Sequence, residues 1–178
     1  DFDEIEKQEY ENPSGYSVTL PADWALSAET EESSSFISPD GTVALDISNE
    51  LGGMEYYSLT EIGDMLTREL MDQLFASAKA DSTAATNSSY RRTIRGADLD
   101  GGEISAVLYI SEPFVAVRYY LLFLIDADQS RALSDVVDGV IDSFTVTQDQ
   151  DQVYQLMRER AEAREEAEAA AEQEESGL

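Results

Sequence analysis

The segment FVAVRYYLLFLI, residues 114–125, is apolar on both faces when written as a strand, and it constrains the architecture of the whole domain. One face would carry Val115, Val117, Tyr119, Leu121 and Phe123, and the other would carry Phe114, Ala116, Tyr120, Leu122 and Leu124. A strand buried on both faces needs one layer of structure above it and a second layer below it. The stretch therefore predicts a sheet with helices on both of its faces.

Shorter strand signals precede this stretch along the chain. Five further segments are predicted strands: Gly15–Pro21, Ser34–Ser38, Thr42–Ser48, Tyr90–Arg95 and Glu103–Ser111. Most of them alternate apolar and polar residues, which is typical of half-buried strands. Turn residues such as Pro39-Asp40-Gly41 and Asp100-Gly101-Gly102 separate them, and Glu112-Pro113 is expected to end the strand before the central stretch.

Two amphipathic helices are predicted. The first begins with a capping box at Ser58-Leu59-Thr60-Glu61 and fades near Ala80. Its apolar stripe consists of Leu59, Ile62, Leu66, Leu70 and Leu74. The second begins near Asp128 or Ser130, and its stripe consists of Leu133, Val136, Val137, Val140, Ile141 and Phe144.

Both ends of the chain differ from the middle in composition. Residues 1–14 are acidic, contain Pro13 and show no sustained periodicity, so they predict a linker. Residues 15–147 form the predicted folded domain, and residues 148–178 predict an acidic helical tail rich in Ala, Glu and Arg. Val153, Leu156 and Met157 are expected to dock on the domain or on a second copy, while Glu165 to Leu178 stays solvated.

The charge balance excludes several classes of function. The chain has 178 residues and a formal net charge of −27, with neither Cys nor His. The negative electrostatic potential of such a chain repels nucleic acid and anionic lipid, and it favours cations and basic proteins.

The absence of Cys and His excludes further functions. The chain lacks thiol nucleophiles, thiolate metal ligands and the commonest general base. The longest apolar run, Tyr119 to Ile125, is too short to span a membrane.

The order of these signals resembles that of a known family. Gly15-Tyr16-Ser17-Val18-Thr19-Leu20-Pro21-Ala22-Asp23-Trp24 resembles the opening of PsbP-like domains, a group that includes bacterial lipoproteins of the DcrB type. Phe36-Ile37-Ser38-Pro39-Asp40-Gly41 resembles the next strand and turn, and Ile141-Asp142-Ser143-Phe144 resembles the end of the last helix. The resemblance covers roughly residues 12–147. It implies an α/β/α sandwich with a mostly antiparallel central sheet, used for binding and assembly rather than for one shared chemistry.

Two groups of residues are candidate sites. Tyr56 and Tyr57 follow Gly52-Gly53 and form either a contact surface for a partner or a pair tucked onto the core. Asp98, Asp100 and Glu103 surround a Gly-rich turn and offer oxygen ligands to a cation, although a plain hairpin turn explains the same residues.

We expect a non-catalytic, exported binding module with no cofactor and an unidentified, possibly basic, protein partner. The chain begins at Asp1, so a signal peptide and a lipid-modified Cys are expected upstream, and the acidic linker would space the domain from the membrane. Two alternatives remain open at this point: a hydrolase that uses carboxylates, and an accessory factor that binds a divalent cation.

Overall fold

The computed structural model describes residues 1–177, which form eleven strands and three helices after a short 3-10 turn at Phe2–Glu4. The strands are β1 (Lys7–Asn12), β2 (Tyr16–Pro21), β3 (Ala25–Glu29), β4 (Ser33–Ile37), β5 (Val43–Leu51), β6 (Phe75–Ala80), β7 (Ala84–Ala85), β8 (Ser89–Asp98), β9 (Glu103–Phe114), β10 (Val117–Asp126) and β11 (Thr145–Val146). The helices are α1 (Leu59–Leu74), α2 (Ser134–Ser143) and α3 (Gln150–Ser176).

The strands form two antiparallel sheets. The larger sheet has the order β3-β4-β5-β10-β9-β8-β6, with the short β7 paired to β8, and the smaller sheet has the order β1-β2-β11. Strand β10 lies at the centre of the larger sheet, where Leu121 is opposite Ile47 of β5 and Tyr109 of β9. The predicted α+β class, with an antiparallel central sheet flanked by helices, is confirmed.

The central strand is fully buried on one face and half-buried on the other, whereas its sequence predicts burial on both. Val117, Tyr119, Leu121, Phe123 and Ile125 belong to the main core, which the smaller sheet and α2 complete. On the opposite face, Tyr120, Leu122 and Leu124 pack in the two clusters beneath α1. The layers are thus α1, then the larger sheet, then α2 together with the smaller sheet.

The boundaries of the central strand differ from the prediction. Strand β9 continues through Glu112 and Pro113 to Phe114, and a two-residue turn then leads into β10 at Val117. Ala116 adopts a left-handed φ of 60° in this turn, and Val115 is 68% exposed. The turn was not predicted because both of its residues, Val115 and Ala116, are apolar.

Helix α1 begins as predicted and ends earlier. The amide of Glu61 donates to Ser58 Oγ over 3.1 Å, and the amide of Ser58 donates to Glu61 Oε2 over 2.8 Å, so the capping box is formed. The helix ends at Leu74, and Phe75 begins strand β6 rather than continuing the helix toward Ala80. Phe75 is buried, and β6 pairs with β8, so sheet pairing overrides the local preference of this segment. Helix α2 likewise begins later than predicted, at Ser134.

The acidic segment at the start of the chain is folded, in contrast to the predicted linker over residues 1–14. Each of the six residues Lys7–Asn12 is paired with a residue of β2. Tyr10 packs edge-on against Phe36, with ring centroids 5.0 Å apart, and Asn12 is buried. The acidic residues of this strand point outward, which gave the segment the composition of a linker.

The acidic tail forms the long helix α3, whose first turns contact the domain. Val153 is fully buried, and Leu156 and Met157 pack against the main core. Residues 161–177 are exposed. The expected docking and solvation are seen as far as residue 177, and Leu178 lies outside the described residues. Among residues 1–177, no helix combines the length and the apolar character that crossing a membrane requires.

Candidate functional site

Helix α1 covers only part of its face of the larger sheet and leaves a groove beside it. The helix packs chiefly over β6 and β8, at one end of the sheet. Strands β4, β5 and β10 continue beyond it. The open space between α1 and these strands has a volume of about 630 Å³.

One wall and the floor of the groove are apolar. The wall is formed by three residues of the α1 stripe, Ile62, Leu66 and Leu70, together with the neighbouring Met65. The floor is formed by Leu108, Tyr120 and Leu122 of the sheet. Met65 remains 36% exposed, and a flexible thioether side chain at such an edge adapts readily to another surface.

Apart from Met54, the remaining lining of the groove is hydroxylic and acidic. Strand β4 contributes Ser33 and Ser35, and β5 contributes Asp46 and Ser48. Ser35 donates a hydrogen bond to Asp46. Glu50 and Glu69 complete the acidic lining, to which no Lys or Arg side chain of the described chain, residues 1–177, contributes. The groove therefore combines an apolar floor with a negatively charged rim.

A buried arginine holds the loop at one end of the groove. Arg118 is 1% exposed, and its Nε donates to Glu112 Oε2 over 2.5 Å. Its Nη1 donates to Glu50 Oε1 over 3.3 Å and to the carbonyl of Gly53 over 3.1 Å. Its Nη2 donates to the carbonyl of Met54 over 3.3 Å. Because a desolvated charge is costly unless it is paired, these acceptors and Arg118 hold one another in place.

The same loop carries the two tyrosines that the sequence singled out. Gly52, Gly53 and Met54 all have positive φ, at 102°, 92° and 53°, so the chain turns sharply here. Met54 lines the groove, while Tyr56 is 96% exposed and Tyr57 is 47% exposed. The structure thus places the pair on the surface rather than on the core. Their contact with a partner stays a prediction.

The predicted cation ligands form a turn. Oδ1 of Asp98 accepts hydrogen bonds from the amide of Asp100 over 2.8 Å and from the amide of Gly102 over 2.9 Å. These bonds stabilise the β8–β9 hairpin and use the carboxylate internally. Glu103 lies opposite Ala97 in the ladder. Within residues 1–177, no three Asp or Glu side chains are placed so that they could hold one metal ion, so Asp98, Asp100 and Glu103 are not brought together as a cation site.

Burial perturbs two ionisable groups of the groove. It raises the pKa of Tyr120 to about 12, and the nearby carboxylate of Glu50 adds to the effect. Burial also raises the pKa of Glu50, against the opposing influence of the Arg118 guanidinium. Tyr120 is therefore neutral at physiological pH and offers the groove an apolar ring with a polar hydroxyl.

Sequence reasoning missed Arg118, although a signal was present. It is the single charged residue in the apolar stretch 114–125, and Lys and Arg are almost never fully buried unless paired. That rule predicts acidic partners for Arg118. Glu112 lies only six residues away, in the other strand of the same hairpin, whereas Glu50 is 68 residues away, and its approach depends on long-range pairing of β5 with β10.

The comparisons with known proteins support the fold. Neither a protein-family model nor a curated protein matches the chain. Among solved structures, the Saccharomyces cerevisiae Ran-binding protein Mog1p superposes with a TM-score of 0.64 at 9% identity, covering 83% of this chain and 98% of Mog1p.

Two further solved structures are similar. Cyanobacterial PsbP (CyanoP) from Synechocystis has a TM-score of 0.57 at 16% identity, covering 79% of this chain and 92% of CyanoP. LpqN, described as involved in cell envelope biogenesis of Mycobacterium tuberculosis, has a TM-score of 0.53 at 15% identity, covering 82% and 92% of the two chains. The chain therefore has a PsbP-like fold.

Proposed function

We propose that this chain is a non-catalytic binding module that takes a segment of a protein partner into the groove beside α1. The observation that carries the proposal is the half-covered sheet face: an open apolar floor of Leu108, Tyr120 and Leu122 next to the exposed edge of α1. Exposed apolar surface with a polar rim is typical of interaction sites. The neighbouring structure Mog1p is named as a Ran-binding protein, which is compatible with a fold used for binding proteins.

The charge of the groove defines the kind of segment that would fit. Asp46, Glu50 and Glu69 line it, and no cationic side chain among residues 1–177 does. Glu50 already pairs with Arg118 beneath the rim, so Asp46 and Glu69 are the carboxylates open to a partner. A segment with apolar side chains on one side and Lys or Arg on the other would bury the first on the floor and pair the second with this rim. The net charge of −27 would in addition speed the encounter with such a basic partner.

A photo-crosslinking amino acid at position 65 tests the location of the site. The control carries the same group at Arg68, an exposed position of the same helix that does not line the groove. A partner crosslinked from position 65 and not from position 68 would then be purified for binding measurements.

Two charge reversals on α1 test the rim with that purified partner. Glu69→Lys places a cation in the groove, whereas Asp72→Lys makes the same change at an exposed position outside it. We expect Glu69→Lys to weaken binding at least tenfold and Asp72→Lys to leave it within about twofold, because only the first opposes the partner's charge at close range. Equal effects of the two reversals would refute a site in the groove.

We also propose an extracytoplasmic location, with a lipid anchor upstream of Asp1. The acidic composition and the neighbour LpqN, described as a cell-envelope protein, support this part of the proposal. Detection of the intact protein in the membrane fraction, together with its release by protease added to whole cells, is the expected result. Recovery from the cytosol alone would contradict it.

A broad hydrolase screen tests whether the chain is non-catalytic. Reproducible turnover that is abolished by Glu50→Gln would show that the chain is an enzyme and would refute the proposed binding module.

A further inference from the structure

Strand β8 carries three of the eleven cationic residues in this acidic chain. Their side chains lie on both faces of the sheet. Arg92 points toward α1, where its Nη1 lies 3.3 Å from Asp64 Oδ1. Arg91 points the other way, toward α2, where its Nη2 lies 2.6 Å from Asp138 Oδ1. Since side chains alternate along a strand, Thr93 and Arg95 share the face of Arg91.

A small polar pocket lies between this face and the beginning of α2. Its volume is about 90 Å³, which is room for a single small group. The polar lining is Arg91, Thr93 and Arg95 from β8, Ser105 from β9, and Ser130 and Ser134 from the segment that begins α2. The side chains of Val107, Ile125 and Val137 form the apolar remainder.

Ser105 is the most unusual member of this lining. It is 2% exposed and lies directly opposite Arg95 in the ladder. Within residues 1–177, its Oγ has no hydrogen-bond partner. Buried hydroxyl groups are almost always hydrogen-bonded, so an unpaired one at the edge of a pocket indicates that the pocket supplies the partner.

The beginning of α2 is also without its usual acceptor. The residue at the N-cap position is Leu133, whose side chain cannot accept a hydrogen bond from the first turn. The amide groups of that turn carry partial positive charge and are suited to an anion. Helix α2 has ten residues, so its dipole is that of a full helix rather than of a single turn.

We infer that this pocket binds a small oxyanion, specifically a phosphate group. Its oxygens would accept hydrogen bonds from Ser105 Oγ, from the guanidinium groups of Arg91 and Arg95, and from the uncapped end of α2. Donors that converge from two strands and a helix suit a tetrahedral group better than a planar carboxylate. The existing ion pairs leave capacity for this ligand, because a guanidinium group has five N–H donors and Asp138 occupies only part of those of Arg91.

The acidic residues around the pocket oppose the binding of an anion. Asp138 and Asp81 already pair with the two arginines, and the rest of the surface is acidic. A phosphate group held here is therefore held by local donors and not by the long-range field of the protein, which repels anions. This site is separate from the α1 groove, which lies on the opposite face of the sheet.

An NMR titration of the full chain with inorganic phosphate tests the site, at constant ionic strength maintained with NaCl. We expect saturable shifts of the amide signals of Ser105 and of residues 134–136. Sodium acetate at the same concentration should give shifts at least fivefold smaller. Shifts that remain linear in phosphate concentration, or that acetate reproduces, would overturn the inference.

Two variants and a matched control separate the site from general charge effects. Ser105→Ala should weaken phosphate binding at least fivefold without lowering Tm, because it removes a hydroxyl that has no protein partner. Arg91→Ala should weaken it at least tenfold. Arg92→Ala removes the same charge from the same strand on the opposite face, and it should change binding less than twofold. Unchanged binding in Ser105→Ala, or equal losses in the two arginine variants, would overturn the inference.

Glycerol 3-phosphate provides a second arm that distinguishes the source of the phosphate group. Tighter binding of this monoester than of inorganic phosphate would support a phosphorylated compound whose remainder lies outside the pocket. Exclusion of the monoester, with inorganic phosphate still bound, would support the free ion. The absence of saturable binding of both would overturn the proposal.

Discussion

Arg118 Nε and Glu112 Oε2 lie 2.5 Å apart, which joins the two strands of the β9–β10 hairpin through an ion pair at the end of the groove. The arginine side chain is 1% exposed and the glutamate side chain is 18% exposed. In a chain of net charge −27, a single positive charge is thus withdrawn from the surface to organise a loop.

Arg118→Met tests the role of this pair. The substitution leaves Glu112 without its cation and the carbonyls of Gly53 and Met54 without their donor. We expect the free energy of unfolding to fall by about 3 kcal/mol or more, and hydrogen exchange of the amides of residues 53–57 to accelerate. Urea denaturation and exchange measurements check the two effects. Arg95→Met is the control: both partners of its pair with Asp81 are more than half exposed, so its cost should stay within about 1 kcal/mol.

Gly63→Ala tests the packing of α1 on the sheet. Alanine at an exposed helical position would stabilise the helix by about 1 kcal/mol relative to glycine. A Cβ at Gly63, however, would lie 2.3 Å from Cε2 of the buried Tyr90 ring. We therefore expect a net loss of about 1–3 kcal/mol in unfolding free energy. Thr60→Ala, at an exposed position of the same helix, should be neutral or slightly stabilising, and a gain in both variants would contradict the described packing.

Removal of residues 1–12 tests whether the N-terminal segment is part of the folded domain. The deletion takes away β1 and the Phe2 ring, which packs against α2 so closely that a Cβ at Gly139 would lie 2.1 Å from it. We expect unfolding free energy to fall by at least about 3 kcal/mol, from lost ladder hydrogen bonds and apolar burial. A linker would leave thermal unfolding unchanged, and that result would contradict the structure.

Truncations of α3 separate its docked part from its solvated part. A chain ending at Arg164 should keep Tm nearly unchanged, because residues 165–177 are exposed and surface ion pairs contribute little. A chain ending at Gln152 should lose about 2–4 kcal/mol, since Val153 is fully buried. Arg160 should account for part of that loss, because its Nη1 donates to Asn49 Oδ1 and its Nη2 to Ser14 Oγ, each over 2.7 Å. Equal stability of the two truncated chains would show that α3 does not dock.

Tyr120 predicts a loss of stability at alkaline pH. Burial raises the pKa of its hydroxyl from 10 to about 12 in the folded chain. As pH rises from 10 toward 12, the unfolded chain releases this proton while the folded chain retains it, so unfolding free energy falls. Tyr120→Phe should make this decline shallower in denaturation experiments at several pH values. An unchanged slope would show that the hydroxyl is better solvated than the structure indicates.

The sequence predicted those parts of the fold that depend on neighbouring residues. The capping box at Ser58 and the two apolar faces of residues 117–125 are local patterns, and both are present in the structure. Strand β6 was predicted as the end of a helix, because its residues are compatible with both states and its pairing with β8 decides between them. Strand β1 was missed because it buries only alternate residues, leaving an acidic outer face.

The candidate groove could not be predicted, because its residues come from distant parts of the chain. Its floor comes from β9 and β10, one wall from α1, and its acidic rim from β5 and α1, so it exists only after long-range pairing. Tyr56 and Tyr57 could be recognised because the glycines before them mark a loop. Arg118 was missed although it is the single charged residue of the apolar stretch, and the position of Glu50 beside it is set by the register of β5 and β10.

The burial of Arg118 also determines how the molecule would respond to salt. Dissolved ions shorten the reach of surface charges to about 10 Å at 0.1 M, so they would relieve the mutual repulsion of the exposed carboxylates. They reach the Arg118 guanidinium poorly, because only 1% of its side chain is accessible. Rising ionic strength would therefore make the whole domain more resistant to unfolding while the tyrosine loop kept its attachment.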